Sequence, residues 1–188
     1  QKLPLASIGA PKTLKDFINF SIKNYPAKRY GLILWNHGGG SVMGYGVDEM
    51  FDGDALTLGE LNSALAGTDL KRQKLEFIGF DACLMANLET AFISKKYADY
   101  LIASEELEPG QGWNYKAWMP QLAKKPDMNG AELGKSSAES FVDYYMNDEE
   151  NETAVLSVTD LSKIDPAVSA LEDLIKLANF DLSKGNYN

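Results

Sequence analysis

Lys74 to Met85, KLEFIGFDACLM, is the stretch on which the reading of this chain turns. Lys74–Phe80 is a short, largely apolar run of strand length, the pattern of a strand buried on both faces. It runs straight into Asp81-Ala82-Cys83, and Leu84 to Tyr97 then continues as a helix. Strand, short break and helix in that order are half of a βαβ unit.

The same pattern recurs outward in both directions. Upstream, Tyr30–Trp35 (YGLILW) reads as a strand that ends on Asn36-His37-Gly38-Gly39-Gly40. Before it, Thr13–Tyr25 spaces Leu14, Phe17, Ile18, Phe20 and Ile22 along a helix face, with Thr13 as N-cap and Pro26 as terminator. Thr57 followed by Glu60 makes a capping box for a helix around Leu61–Leu65. Downstream, Tyr100–Ala103 reads as a third strand, Pro109-Gly110-Gln111-Gly112 as a loop and Ala131–Met146 as a helix. A fourth strand is expected at Thr153–Val158 and a last helix from Pro166 to about Ala178. Four strands separated by helices predict one α/β domain over residues 1–188, its mostly parallel sheet covered on both faces.

Composition narrows the function classes. The formal net charge of −9, from 18 Lys+Arg against 27 Asp+Glu, leaves no basic stripe for a nucleic acid. No run approaches the roughly 18 apolar residues of a membrane span, and Gln1 opens no basic-then-apolar leader. A single Cys forbids an internal disulfide framework, and one Cys with one His builds no Cys/His zinc site unaided. No metal site is expected.

In parallel sheets, functional groups gather where strands end at their carboxyl edge. Cys83 and His37, which lies 46 residues upstream, both fall there, and on neighbouring strands they would stand roughly 5–10 Å apart. A solitary Cys is often an inert buried hydrophobe. Cys83 is instead expected at a helix start, where the backbone dipole favours thiolate. Asp81-Ala82-Cys83 is close to the Gln-Ala-Cys signature of caspases, whose His precedes the Cys by about 50 residues. The glycines after His37 let backbone approach a ligand, and the N–H groups of Gly38 and Cys83 are candidate donors to an oxyanion.

Leu32-Ile33-Leu34-Trp35-Asn36-His37-Gly38-Gly39-Gly40 and Phe77-Ile78-Gly79-Phe80-Asp81-Ala82-Cys83-Leu84-Met85 resemble the His and Cys blocks of the clostripain family, relatives of gingipains, legumain, caspases and separase. Tyr25-Pro26-Ala27, Ser104-Glu105-Glu106 and Pro109-Gly110-Gln111-Gly112-Trp113 extend the likeness over about Lys12 to Trp118. The resemblance implies a caspase-like three-layer α/β/α sandwich and a cysteine endopeptidase with a Cys83–His37 dyad. It also implies cleavage of peptides or proteins after Arg or Lys, with Asp81 on the pocket floor. Ser104, Glu105 and Gln111 are further candidates to bind substrate, though Glu105 and Glu106 also read as solvated acids. For Asp81 the alternative is a helix cap or a binder of local backbone N–H groups.

The family's usual first strand has no counterpart in Gln1–Ala10, so the sheet is expected to lack that member unless a companion chain from the same precursor, a processed zymogen, supplies it. Secretion or residence in the cell envelope follows from the same analogy. Calcium is possible by analogy too, but Asp48–Glu60 fails as a calcium loop, with Met50 at the third position and Gly59 at the twelfth. His37-Gly38-Gly39-Gly40 is also an esterase oxyanion signature, but no Gly-x-Ser-x-Gly elbow or second His accompanies it. A glutaminase-like enzyme would place its His after the Cys. A catalytically silent caspase-fold module that binds peptides is the remaining alternative. Trp113 and Trp118 read as pocket wall or as core.

Overall fold

The computed structural model describes residues 4–71, 73–146 and 154–183. In chain order these form α1 (Pro11–Asn24), β1 (Gly31–Trp35), the single turn α2 (Gly40–Met43), β2 (Tyr45–Asp48), β3 (Asp54–Leu56) and α3 (Leu58–Ala66). Then come β4 (Leu75–Asp81), α4 (Leu88–Ser94), β5 (Ala98–Ala103), α5 (Tyr115–Lys124), α6 (Gly130–Tyr145), β6 (Ser157–Asp160) and α7 (Ile164–Ser183).

The main sheet has the order β1-β4-β5-β6, with β1, β4 and β5 mutually parallel. One face carries Leu14 and Ile18 of α1, Leu61, Ala64 and Leu65 of α3, Ala91 of α4 and Ile164 of α7, packed on Ile78 and Phe80. The other carries Trp118 of α5 with Leu133, Phe141 and Tyr145 of α6, packed on Phe77 and Ile102. Three layers result, and each fully buried leucine such as Leu61 or Leu65 contributes about 1.5–3 kcal/mol. Both Trp113 and Trp118 belong to the second core cluster.

α1 begins at Pro11 after Ala10, ahead of the expected cap Thr13, whereas the starts of α3 and α6 follow side-chain chemistry. Thr57 and Glu60 form the expected capping box at α3, and Asn129 with Glu132 forms another at α6.

Three features of the strands depart from expectation. The strand sought at Thr153–Val158 begins at Ser157, and Thr153 lies outside the described residues. It runs antiparallel to β5, Tyr100 facing Asp160 and Ala103 facing Ser157. The reason is α5, a helix with Pro120 inside it. One crossover helix returns a chain to the start of the next parallel strand, whereas two helices in succession deliver it to the opposite end. A two-stranded hairpin, β2 with β3, was also not foreseen. Its strands of four and three residues are too short to show a period of two.

Candidate active site

The register of β1 on β4 places the site. Gly31 faces Phe77 and, at the far end, Trp35 faces Asp81. His37 and Cys83 each lie two residues beyond that last pair, so both leave the carboxyl edge of neighbouring parallel strands at the same level. Their backbones touch there: a Cβ added to Gly38 would sit 2.0 Å from the carbonyl oxygen of Cys83, so only glycine fits.

The loop carrying His37 is tied to the hairpin. Asn36 Oδ1 accepts from the N–H of His37 at 2.6 Å and of Val47 at 2.9 Å. The N–H of Gly39 donates to Gly44 and that of Gly46 to His37, each at 2.8 Å. The N–H groups of Gly38 and Cys83 take no part in these bonds.

Cys83 is half-buried, but it does not open a helix. α4 begins at Leu88 with Asn87 as its N-cap, whose side chain accepts from Thr90 N–H. Cys83 lies in the turn before it, next to Leu84 at a φ of 63°. A left-handed leucine costs roughly 1–2 kcal/mol. Leu84 N–H donates to Glu106 O at 3.1 Å and Ala86 N–H to Ser104 O at 2.9 Å, which holds the turn closed. The helix dipole expected at the thiol is therefore replaced by one local donor, the N–H of Glu108, 3.2 Å from Sγ.

His37, Cys83 and Asp81 line one open cleft of about 440 Å³, with Trp35, Val47, Glu49 and Glu108 among its other walls. Asp81 is only 3% exposed. It caps no helix and binds no local N–H; the N–H of Trp113 donates to both its oxygens at 3.2 Å and Tyr115 Oη donates to Oδ2 at 2.7 Å. Gly112, at a φ of 67°, is pressed against the same carboxylate: a Cβ there would lie 2.5 Å from Oδ1. Asp81 thus pins the loop that forms one wall.

Ser104, Glu105 and Gln111 are not brought into this cleft. Ser104 is fully buried behind it and its Oγ closes a tight turn, donating to Glu106 O at 2.9 Å and accepting from Glu106 N–H at 3.0 Å. Glu105 and Gln111 are exposed.

The acid that does enter is Glu108, which no local pattern marked. Its Oε1 accepts from Trp113 Nε1 at 3.4 Å, while its Oε2 is buried without a donor. Burial, and then the neighbouring Asp81, push the Glu108 carboxyl up to about 8. The Tyr115 and Tyr45 hydroxyls are also raised, mainly by burial and then by Asp81.

A stability prediction follows from Glu108. Its proton binds both folded and unfolded chains below the ordinary value of 4.5, and only the folded chain between there and about 8. The folded chain then holds the extra proton, so stability falls as pH rises through that window. Glu108→Gln, which needs no proton, is expected to melt higher than wild type by a margin that widens from about pH 5 to about pH 8. A margin that does not change with pH would refute the buried-acid assignment.

Asp48 and Asp54, acids of the stretch that fails as a calcium loop, face each other across the β2–β3 hairpin. Asp48 accepts from the N–H groups of Ile8 and Met50, and Asp54 from Ser7 Oγ at 2.6 Å. Among the described residues no group of three His, Cys, Asp or Glu side chains is placed to hold a metal ion.

A sheet between two helix layers, with a cysteine and a histidine leaving adjacent parallel strands at one edge, is the caspase-like α/β/α arrangement. The chain belongs to the clostripain family of cysteine peptidases, whose family model matches residues 4–186. It is 32% identical over 128 residues to Clostripain of Hathewaya histolytica, across 58% of this chain and 24% of that one. A secreted C11 cysteine protease of Bacteroides thetaiotaomicron, solved with an irreversible peptide inhibitor, superposes with a TM-score of 0.72 at 25% identity, over 88% of this chain and 49% of that one. An inactive zymogen C11 protease of Parabacteroides distasonis gives 0.64 at 26% identity, over 88% and 44%. The chain thus spans about a quarter of the curated relative and just under half of each solved one. No helix among the described residues is long and apolar enough to cross a membrane.

Proposed function

We propose that this chain is the catalytic half of a cysteine endopeptidase, with Cys83 as nucleophile, His37 as acid/base and Asp81 as the floor of a pocket for a basic side chain. The observation that carries the reading is the shared level of His37 and Cys83, two residues past the paired Trp35 and Asp81, in one cleft. Cys83 gives its proton to His37 and its sulfur attacks the scissile carbonyl carbon. The amine leaves with the proton from His37; water then attacks the thioester, His37 taking its proton and returning it to the thiol. The N–H groups of Gly38 and Cys83, not engaged in the loop's own hydrogen bonds, serve the oxyanion. Three carboxyls, of Glu49, Asp81 and Glu108, and no Lys or Arg among the described residues line the cleft, which suits a guanidinium or ammonium just before the scissile bond.

The test is an arginyl chloromethyl ketone together with a fluorogenic panel varying the residue before the cut. An adduct on the peptide containing Cys83 and turnover concentrated on Arg and Lys substrates are expected. A protein that is neither labelled nor active across the panel is a silent binding module instead.

β1 is hydrogen-bonded only to β4 among the described residues, and Trp35 on it is 69% exposed. We infer that a companion segment of the same precursor adds a strand at this edge, since open edges are ordinarily covered. Native mass spectrometry of the processed enzyme is expected to show a second polypeptide; full activity of the isolated chain would contradict it. Export, by analogy with the secreted relative, is checked by fractionating the producing cells, and recovery of the protein only from the cytoplasm would refute it.

A further inference from the structure

We propose that Glu108 is a second specificity-determining residue of the cleft: with Asp81 it forms a carboxyl pair that holds one proton while the cleft is empty and releases it to solvent when a cationic side chain enters. The inference rests on the basic-pocket reading above and adds to it a coupling between substrate selection and proton release.

The two acids are clamped by one residue. Trp113 gives its backbone N–H to Asp81 and its indole N–H to Glu108, so both carboxyls are held on one residue at the same cleft. Donors already crowd Asp81, whose Oδ2 also accepts from Tyr115 Oη. Glu108 Oε2 is buried and has no donor of its own. Two adjoining carboxylates shielded from water cannot both stay charged without a compensating cation, and a shared proton is the compensation available to an empty site.

The surroundings supply no other. Around Glu108 are Asp81 at the end of β4, Tyr45 of β2, Tyr115 of α5, and His37, Cys83 and Glu49 at the rim. Among the described residues no Lys or Arg lines the cleft. The charge count is the same in both states: two carboxylates plus a proton carry one net negative charge, as do two carboxylates plus a guanidinium. A cation therefore replaces the proton without leaving extra charge buried, whereas a neutral side chain leaves the proton in place.

Because the pair is protonated at neutral pH, each unit of rising pH favours the cationic ligand until the proton is gone near pH 8. Selectivity for a cation over a neutral side chain of the same shape should thus climb with pH and then level off.

Calorimetry on the intact protein carrying Cys83→Ala, which binds peptide without cutting it, counts the protons. Peptides with arginine or its neutral isostere citrulline before the scissile bond are titrated at pH 7 in phosphate and in Tris, buffers of different ionisation heat. About one proton released per arginine peptide and none per citrulline peptide is expected. Adding Glu108→Gln should bring the release close to zero and cut the preference for arginine. In the cleaving enzyme, the ratio of kcat/KM for the two substrates, in which effects common to both cancel, should rise close to tenfold between pH 6 and pH 7 and flatten above about 8.

Preferential binding of arginine with no proton released, a ratio that stays flat with pH, or undiminished release after Glu108→Gln would overturn the coupling alone. Equal treatment of arginine and citrulline throughout would overturn the basic-pocket reading and the coupling with it.

Discussion

Cys83→Ala and His37→Ala, made singly and together, are expected to lower kcat on a peptide substrate by similar factors, on the order of 10⁴ or more, with the double variant no worse than the poorer single one. On the proposed reading the two act as one unit, so removing either leaves the other without a task. Nothing in the packing links the two side chains to overall stability: His37 is exposed and Cys83 half-buried, and neither belongs to a core cluster. All three variants should melt within a few degrees of wild type. Additive losses, or a His37→Ala enzyme within tenfold of wild type, would show that the histidine has no part in the chemistry.

Gly38→Ala carries the second large effect. The added methyl would lie 2.0 Å from the Cys83 carbonyl oxygen and 3.0 Å from its carbon and nitrogen, all backbone atoms that no rotamer change can move aside. The two strand ends must part by about an ångström, and misplacement of that size costs on the order of 100-fold in rate. The strain sits beyond the last β1–β4 pair, so the sheet and both core clusters should survive. Gly59→Ala is the control: in the first turn of α3 a methyl meets only Thr57 Oγ1, at 3.9 Å. Wild-type rate for Gly38→Ala would mean that the contact between the two strand ends does not position the reacting groups.

The sequence already shows the sheet's parallel strands and the two residues that leave them. Buried strands such as Leu75–Asp81 must be continuous apolar runs, and such runs end abruptly where polar residues begin, so their carboxyl ends can be counted along the chain. The start of α4 was four residues later than periodicity suggested, because Leu84 and Met85 are apolar in a turn held by backbone bonds to the 104–106 segment. The direction of β6 depended on α5, whose Trp118 and Pro120 obscure a ten-residue helix.

Glu108 was unreadable for a different reason. Glu105, Glu106 and Glu108 occupy a loop without any period, and which of them turns inward is decided by Trp113, whose indole N–H reaches Oε1 of Glu108 alone. Gln111, flanked by glycines that do line the cleft, has its own side chain in solvent. Asp81 closes β4 two residues before Cys83, a place that can be counted along the chain; Glu108 comes from a segment that only tertiary contacts place.

The backbone N–H of Glu108 donates to the sulfur of Cys83 while its side chain faces Asp81. Any residue except proline at this position supplies the same N–H. If Cys83 and Glu108 act as proposed, preference for the residue before the cut can drift through substitution at 108 while the nucleophile keeps its hydrogen bond. In evolutionary terms the position is a place where new diets can be tried without first losing the ability to cut, and a directed-evolution library would sensibly start there.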